Sequence, residues 1–554
     1  MRHGGEILVE QLKAHNVRRV FSVPGESFLA ALDGLYQSGI DNIVCRQEGG
    51  AAMMAEAYGK LTGTPGVLFV TRGPGATNAS SGIHVAMQDS TPMVIFIGQI
   101  DSHHREREAF QEVDYKQFFG GVAKWAAEVS HTERLPEYIN RAFQIAQSGR
   151  PGPVVLALPE DVLSALSDAP SLPASSRPRL AVGEGDVSAI MGALEGAKSP
   201  LMVVGGPGWS AMAARDAEKF ASACKLPVVA TFRRQDFFDN RSQNYIGDLG
   251  VAMNPALRAR LSGADTLLII GSRFGDIPTD GYSIMSPENA DKTIIHVHPD
   301  PDMPGRIFQT DLAITARSGD ILAALAQTNG FEAPVWEGET RAARAAYEAW
   351  QKPVETPGDV KMEAVVGWLS AHLDEDAILT NGAGNFAGWL GRYFAYKQHG
   401  TQLASTSGSM GYGLPAAISA SLENPDKTVV CMAGDGDFQM TLNEMSTGVQ
   451  HGAKVITIVA NNGRYGTIRA HQEREYPGRV SGTVLANPDF AALAVAYGGH
   501  GETVRKTDQF AEAFARAKAS GKMAVIELVL DDEALAPGIT LSAARAAGLM
   551  RKAT

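Results

Sequence analysis

The stretch "VVCMAGDGDFQMTLNEM", residues 429–445, runs small and apolar to Ala433 and then turns on Gly434, Asp435, Gly436 and Asp437. A short unbroken apolar run that ends on glycine reads as a strand buried on both faces, the kind found in parallel sheets covered by helices. Beyond the turn, a helix is expected to start near Thr441. The two acids at the strand's C-terminal end have two readings. They are a turn that happens to be acidic, or a carboxylate is placed there to hold a cation. The second reading has a physical basis, because ligands of α/β folds bind outside the carboxyl ends of the strands. Glycines let the backbone approach a ligand, successive amides form an anion nest, and a following helix points its N-terminus at the same place. Such a turn suits a phosphate, and Mg2+, which takes oxygen ligands and recruits phosphate oxygens, would bridge it to Asp435.

A second segment, "VITIVANNGRYG" at 455–466, is another apolar strand, ending on Asn461 and Asn462. Taken alone, Asn-Asn-Gly reads as a turn. Asn462 lies 27 positions after Asp435. Consecutive parallel strands at that spacing put a carboxylate oxygen and an amide oxygen, both hard ligands, on one rim.

The same alternation of short β-branched runs with helical stretches fills the chain, so the expected fold is α/β, with three doubly wound parallel-sheet domains. The first spans 1–165 and includes "VRRVFSVPG", "DNIVCRQE", "GVLFVTRGPGATN" and "PMVIFIGQI". Residues 165–180, rich in Pro, Ser and Ala, read as a linker. A second domain spans 182–330 and a third 355–532, leaving 533–554 as an exposed tail with one weak helix. The first and third domains echo each other. Gly73 precedes Val94 by 21 positions, and Gly434 precedes Val455 by 21. Any βαβ unit gives similar spacing, so the echo suggests, without requiring, two related halves around a different middle.

The 554 residues are 44% hydrophobic and 20% charged, ordinary for a globular protein. The net charge of -12 argues against nucleic-acid or anionic-membrane partners. Cys45, Cys224 and Cys431 are scattered and form no metal spacing, and Cys45 and Cys431 lie in apolar runs. "MRHGGEILVEQLKAHNV" has helical spacing rather than a leader's pattern, and no apolar run reaches membrane-spanning length. A cytoplasmic protein is expected.

"GDG" followed by "NN" at this distance resembles the signature of thiamine-diphosphate-dependent enzymes. The likeness extends over nearly the whole chain: "CRQEGGAAMMAEAYGKLTG", "GPGATN", "MQDSTPMVIFIGQ", "AFQEVD", "GSMGYGLPAAISA" and "GDGDFQMTLNEM" resemble acetolactate synthase (acetohydroxyacid synthase) and its relatives. The resemblance implies pyrimidine-binding, middle and diphosphate-binding domains, in a homodimer or homotetramer whose active sites lie between subunits. It implies that Asp435, Asn462 and the backbone oxygen of Arg464 hold Mg2+. Gly384, Asn385, Gly436 and Asp437 would sit at the diphosphate, with the Asp437 side chain turned away because a carboxylate beside phosphate is repelled. Gly408 would touch the aminopyrimidine, and Met410, otherwise plain core packing, would wedge between the cofactor's rings. Pro24, Gly25, Asn78, Phe386, Gly434 and Tyr465 are further cofactor contacts on the same resemblance. Glu48 reads on its own as a first-turn helix acid. In the family, the matching glutamate hydrogen-bonds a pyrimidine nitrogen and so promotes proton loss from the thiazolium carbon. Its presence sets the chain apart from the glyoxylate carboligase branch.

Gln111 and Lys124 match residues that line the substrate channel in acetolactate synthases, although Lys124 reads equally as a surface lysine. In "GSRFGDIPTDG", Ile277 replaces an arginine that in the synthases faces the second 2-oxo acid. His471 stands where they often carry tryptophan, and an exposed loop histidine is its default reading. In the middle domain the synthases bind FAD. "VVGGPG" is compatible with that, but "GDLGVAMNPAL" departs from their pattern, so FAD stays open. His296 and His298 share a strand face without further ligands, and His103 and His104 read as loop residues. The expected activity is decarboxylation of a pyruvate-like 2-oxo acid with carboligation to a second carbonyl. The rivals are a simple 2-oxo acid decarboxylase or other lyase and, more remotely, a non-catalytic nucleotide-binding protein.

Overall fold

The computed structural model describes residues 1–178, 180–288 and 291–553. Arg179 of the expected linker and Thr554 of the expected tail lie outside the described residues. Three parallel six-stranded sheets interleave with helices. The first runs Asp41–Val44, Arg19–Ser22, Gly66–Val70, Met93–Gln99, Pro153–Pro159, Trp125–Glu128 across the sheet. The third runs Gln402–Ala404, Ile378–Asn381, Val429–Gly434, Val455–Asn461, Ala524–Val529, His500–Val504. Counted along the chain, both have strand order 2-1-3-4-6-5, and the echoed segments are the third and fourth strands of each. The middle sheet runs Tyr245–Leu249, Val228–Thr231, Pro200–Val204, Thr266–Ile270, Thr293–His298, Leu312–Thr315, an order of 3-2-1-4-5-6. The central strands are buried along their whole length, as unbroken apolar runs require.

The chain forms two compact units. The first contains residues 1–178 together with 405–425 and 439–455, and the second takes the rest of the described chain. In the first unit, Phe28, Phe69 and Phe96 stack in the core at centroid distances of 5.9 and 4.9 Å. The helix Glu48–Thr62 is built of small residues because its neighbours lie close. A Cβ on Gly66 would come within 1.9 Å of the Ala55 carbonyl, and one on Gly82 within 2.4 Å of the Ala52 Cβ. Gln47 caps its start through the Gly50 amide, and Gly63 ends it at φ 69°. Gly413–Glu423 packs along this helix. The linker has no helix or strand over 168–178 but is pinned: the Gln11 amide donates to the Leu172 carbonyl at 2.9 Å and accepts from the Leu172 amide at 2.8 Å. All three cysteines are free and buried. Among the described residues, no helix is long and apolar enough to cross a membrane.

Two expectations need correction. A helix begins directly at Asp435, as Asp435–Gln439, rather than near Thr441, where a single 3-10 turn, Leu442–Glu444, follows instead. The C-terminal segment is not an exposed tail. Ala534–Ala536 pairs with Ile539–Thr540, and Leu541–Ala553 is a helix docked on Gly466–Glu475. Leu535, Leu541 and Ala544 bury against Ala470. The close approach needs Gly548, whose Cβ would fall 2.3 Å from the Glu473 carbonyl. The fully buried Glu473 accepts both forks of Arg545 at 2.8 Å and the Arg469 Nε at 3.0 Å. The Arg545 hydrogen bonds hold its carboxyl down at about 2, below the ordinary 4.5. A depressed acid stabilises above its unfolded pKa and stops doing so as pH falls through the folded one. Helix 541–553 is therefore expected to keep its amide-exchange protection at pH 6 and to lose it progressively as pH falls from 4.5 towards 2, after correction for intrinsic rates. Glu473→Gln should loosen it at neutral pH as well.

Candidate active site

Asp435 is the first residue past the strand Val429–Gly434 and only 3% exposed. The Gly436 amide donates to its Oδ1 at 2.9 Å, and the Arg464 amide donates to its Oδ2 at 3.2 Å. The Gly463 amide also faces it. The loop after the neighbouring strand Val455–Asn461 thus closes onto the Asp435 carboxylate, with Asn462 at the head of that loop. Burial pushes the Asp435 carboxyl above its ordinary value, and the hydrogen bonds from Asn487 and these amides oppose the shift. A buried carboxylate is a hard oxygen donor of the kind Mg2+ takes, and Arg464 of the neighbouring loop reaches it through its amide.

Sequence reasoning missed Asn487. Its Nδ2 donates to Asp435 Oδ2 at 2.7 Å and to Asn461 Oδ1 at 2.9 Å, bridging the two strand tips. The backbone places it. Arg464 bridges Val484 antiparallel, the Tyr465 amide donates to the Thr483 carbonyl, and the Leu485 amide donates to the Gly463 carbonyl, which carries the chain back past the loop. In "ANPDF" an Asn-Pro pair before an Asp cap reads only as a turn.

The glycines of the acid turn are required by rings. A Cβ on Gly434 would lie 2.9 Å from the Phe386 ring, one on Gly384 2.7 Å from it, and one on Gly436 2.5 Å from Tyr465. Asn385 is fixed by Thr467, whose hydroxyl accepts its amide at 2.9 Å and donates to its Oδ1 at 3.0 Å. The buried Asp437 carboxylate turns toward Gly382 and accepts the Ala383 amide at 3.0 Å. Gly384, Asn385, Phe386, Gly434, Asp435, Gly436, Asp437, Arg464 and Tyr465 therefore form one cluster on the rim of the third sheet.

A second cluster lies in the first unit. Glu48 opens the helix Glu48–Thr62 and is 9% exposed; the Asn78 Nδ2 donates to its Oε2 at 3.0 Å. A Cβ on Gly75 would stand 3.2 Å from its Oε1, and the same Gly75 packs on Thr71, as Gly25 does after Pro24. Gln111, at φ 66°, packs against Gly73, whose Cβ would meet it at 2.7 Å. Pro24, Gly25, Glu48, Asn78 and Gln111 thus converge around the Gly73–Gly75 turn, and Thr71, not singled out from the sequence, is the wall between them. The amides of Arg46 and Gln47, just ahead of Glu48, donate to the buried Glu444 carboxylate at 3.2 and 3.0 Å. Gly408, at φ 66°, is exposed and Met410 half-buried, both in the 405–425 segment of this unit.

Lys124 lies elsewhere. Its ammonium donates to the Ile145 and Ser148 carbonyls, each at 2.6 Å, at the end of the helix Leu135–Gln147. This is a cation on a helix C-terminus, and the arrangement accounts for the residue without substrate. His296 Nε2 is 2.8 Å from the Ser272 carbonyl, and His298 Nδ1 accepts the Asp300 amide at 3.0 Å, so backbone groups engage both rings. His471 is exposed beside Arg474.

The pattern of the thiamine pyrophosphate enzyme N-terminal TPP binding domain matches residues 2–118, the central domain 187–325 and the C-terminal TPP binding domain 382–528. The chain belongs to the thiamine pyrophosphate enzyme family, and thiamine diphosphate is its cofactor. Within that family its similar relatives are acetolactate synthases. The isozyme 2 large subunit of Escherichia coli (strain K12) is 31% identical over 92% of this chain and 92% of the relative. The mitochondrial catalytic subunit of Saccharomyces cerevisiae is 33% identical over 91% and 77%. The acetolactate synthase of Bacillus subtilis is 29% identical over 95% and 93%.

Because the Tyr465 ring leaves no room for a Cβ at Gly436, Gly436→Ala is expected to displace the ring and the turn. Calorimetric titration of thiamine diphosphate should show affinity weakened by about 10-fold or more, the cost of a shift approaching about 1 Å in a preorganised site.

Proposed function

We propose that the chain is a thiamine-diphosphate- and Mg2+-dependent carboligase that decarboxylates a pyruvate-like 2-oxo acid and joins the two-carbon unit to a second carbonyl. The observation that carries this reading is an intact, buried Glu48 with Asn78 on its carboxylate at 3.0 Å. Similarity to named acetolactate synthases over nine-tenths of the chain supports the carboligation step. Thiamine diphosphate, when bound, supplies an electron sink for the pair released as carbon dioxide leaves. Everything else falls to this chain's own residues. Asn78 fixes Glu48 through Oε2, leaving Oε1 above the side-chain-free Gly75 as the atom that holds and passes a proton. Asp435, Asn462 and the Arg464 carbonyl would hold Mg2+, with Asn487 orienting Asp435. Phe386 and Tyr465 shape the turn at Gly434 and Gly436 where the diphosphate would lie, and Asp437 keeps its charge directed at Ala383. Gln111 faces the same turn as Glu48 and is the acceptor-side candidate. We assign Lys124 no chemical role, because its ammonium holds a helix end.

A Cβ on Gly206 would strike the Gly271 carbonyl at 1.7 Å and one on Gly205 the Thr231 Oγ1 at 2.0 Å, so they serve close packing of strand ends. FAD is left out of the mechanism, and visible absorbance of the purified protein checks for it. The same reading places the protein in the cytoplasm as a homodimer or homotetramer, with sites shared between copies.

The test is incubation with a panel of 2-oxo acids, thiamine diphosphate and Mg2+, with products identified by mass spectrometry. A 2-hydroxy-3-oxo acid is expected from pyruvate; a free aldehyde alone would favour simple decarboxylation, which the loss of an arginine at Ile277 permits. Glu48→Gln should lower kcat by about 100- to 10,000-fold, the usual share of a proton-transfer group, with cofactor still bound. Unchanged turnover would refute the assignment.

A further inference from the structure

The loop Ser405–Tyr412 carries Gly408 and Met410, and both its ends are tied to buried charges that the proposed chemistry does not use. Upstream, the Thr406 amide donates to Asp89 Oδ1 at 2.8 Å, and the Thr406 hydroxyl donates to the same oxygen. Downstream, the Tyr412 hydroxyl donates to Glu56 Oε2 at 2.6 Å, while Glu56 Oε1 accepts from the Thr91 hydroxyl at 2.6 Å. Lys60 joins the two ends. Its ammonium is 3.1 Å from Glu56 Oε1 and 3.2 Å from the Tyr412 hydroxyl, and it is ion-paired with Asp89 Oδ2. Both carboxylate side chains are fully buried, and Lys60 is 11% exposed.

Two acids and one base in a dry interior are a poor source of stability, since well-packed apolar residues of similar volume serve as well or better. What such a network adds is geometry. Gly408 and Gly411 take φ of 66° and 79° and give the loop alternative paths that anchored ends remove. Glu56 and Lys60 lie one turn apart on the helix whose first residue is Glu48. We propose that Glu56, Lys60 and Asp89 are positioning residues that set the Ser407–Gly411 segment, and with it Met410, against the cofactor's aminopyrimidine end. This rests on the reading of Met410 as a cofactor contact.

The test uses the full chain with thiamine diphosphate and Mg2+, and compares Thr406→Val, Asp89→Asn, Lys60→Met and Lys60→Arg. Thr406→Val removes one hydroxyl and leaves every charge paired, so it keeps the test open if a charge variant fails to fold. Unfolding midpoints identify the folded variants. In folded Thr406→Val, Asp89→Asn and Lys60→Met, kcat is expected to fall about 10- to 100-fold, as a misplacement of about 1 Å does. Cofactor Kd should change by less than about 3-fold, because the anchor at Asp435 is untouched. The near-ultraviolet circular-dichroism band of the bound cofactor should weaken in parallel, with Lys60→Arg restoring most of both. Unchanged kcat and dichroism in folded variants, or a kcat loss fully explained by weaker cofactor binding, would overturn the proposal. Met410→Ala separates the two layers. If it too changes neither quantity, the reading of Met410 falls and takes this proposal with it. If it lowers both while the network variants do not, only the network's role is lost.

Discussion

A carboxylate buried at the tip of a parallel strand is expensive, and the rim of the third sheet is organised around that cost. Asp435 sits between glycines and receives donors from its own turn, from the loop of the next strand and from Asn487. These bonds oppose the burial that raises its pKa, and a divalent cation would oppose it more strongly. Because the donors come from three separate segments, the anion also fixes those segments relative to one another. The acid turn, the Asn462 loop and the Asn487 turn become one rigid cradle.

The same economy appears in the first unit, where the helix Glu48–Thr62 serves several purposes. Its first residue is the proposed proton carrier, its approach is capped by the buried Glu444, and its second half holds Tyr412 through Glu56. Small residues along it permit the close packing of Ser80–Asp89 and Gly413–Glu423. A bulky side chain on that helix would disturb packing and site together.

Legibility in the sequence followed the range of each signal. Local patterns survived: apolar runs became buried strands, "GDG" and "NN" became adjacent strand tips, and an echo of 21 positions between the first and third domains marked equivalent strands of two sheets with one order. What failed depended on contacts distant in the chain. Asn487 looks like a turn residue until the pairing of 463–465 with 483–485 brings it to Asp435. Lys124 belongs to a helix end more than twenty residues away, which spacing does not reveal. The terminal helix looked exposed because the acid that clasps Arg545, Glu473, is far upstream. The site roles came from resemblance to a family, and geometry then brought most of those residues into two clusters and tied Lys124 to a helix end.

We propose that the Asp435 rim grips a metal ion that tethers the cofactor's diphosphate. The most direct measurement is calorimetric titration of thiamine diphosphate into wild type and Asp435→Asn, with Mg2+ and with a chelator. Tight binding is expected only for wild type with Mg2+, and equally weak binding in the other three cases. Wild-type affinity that survives chelation, or an Asp435→Asn protein that binds as tightly as wild type in Mg2+, would contradict it.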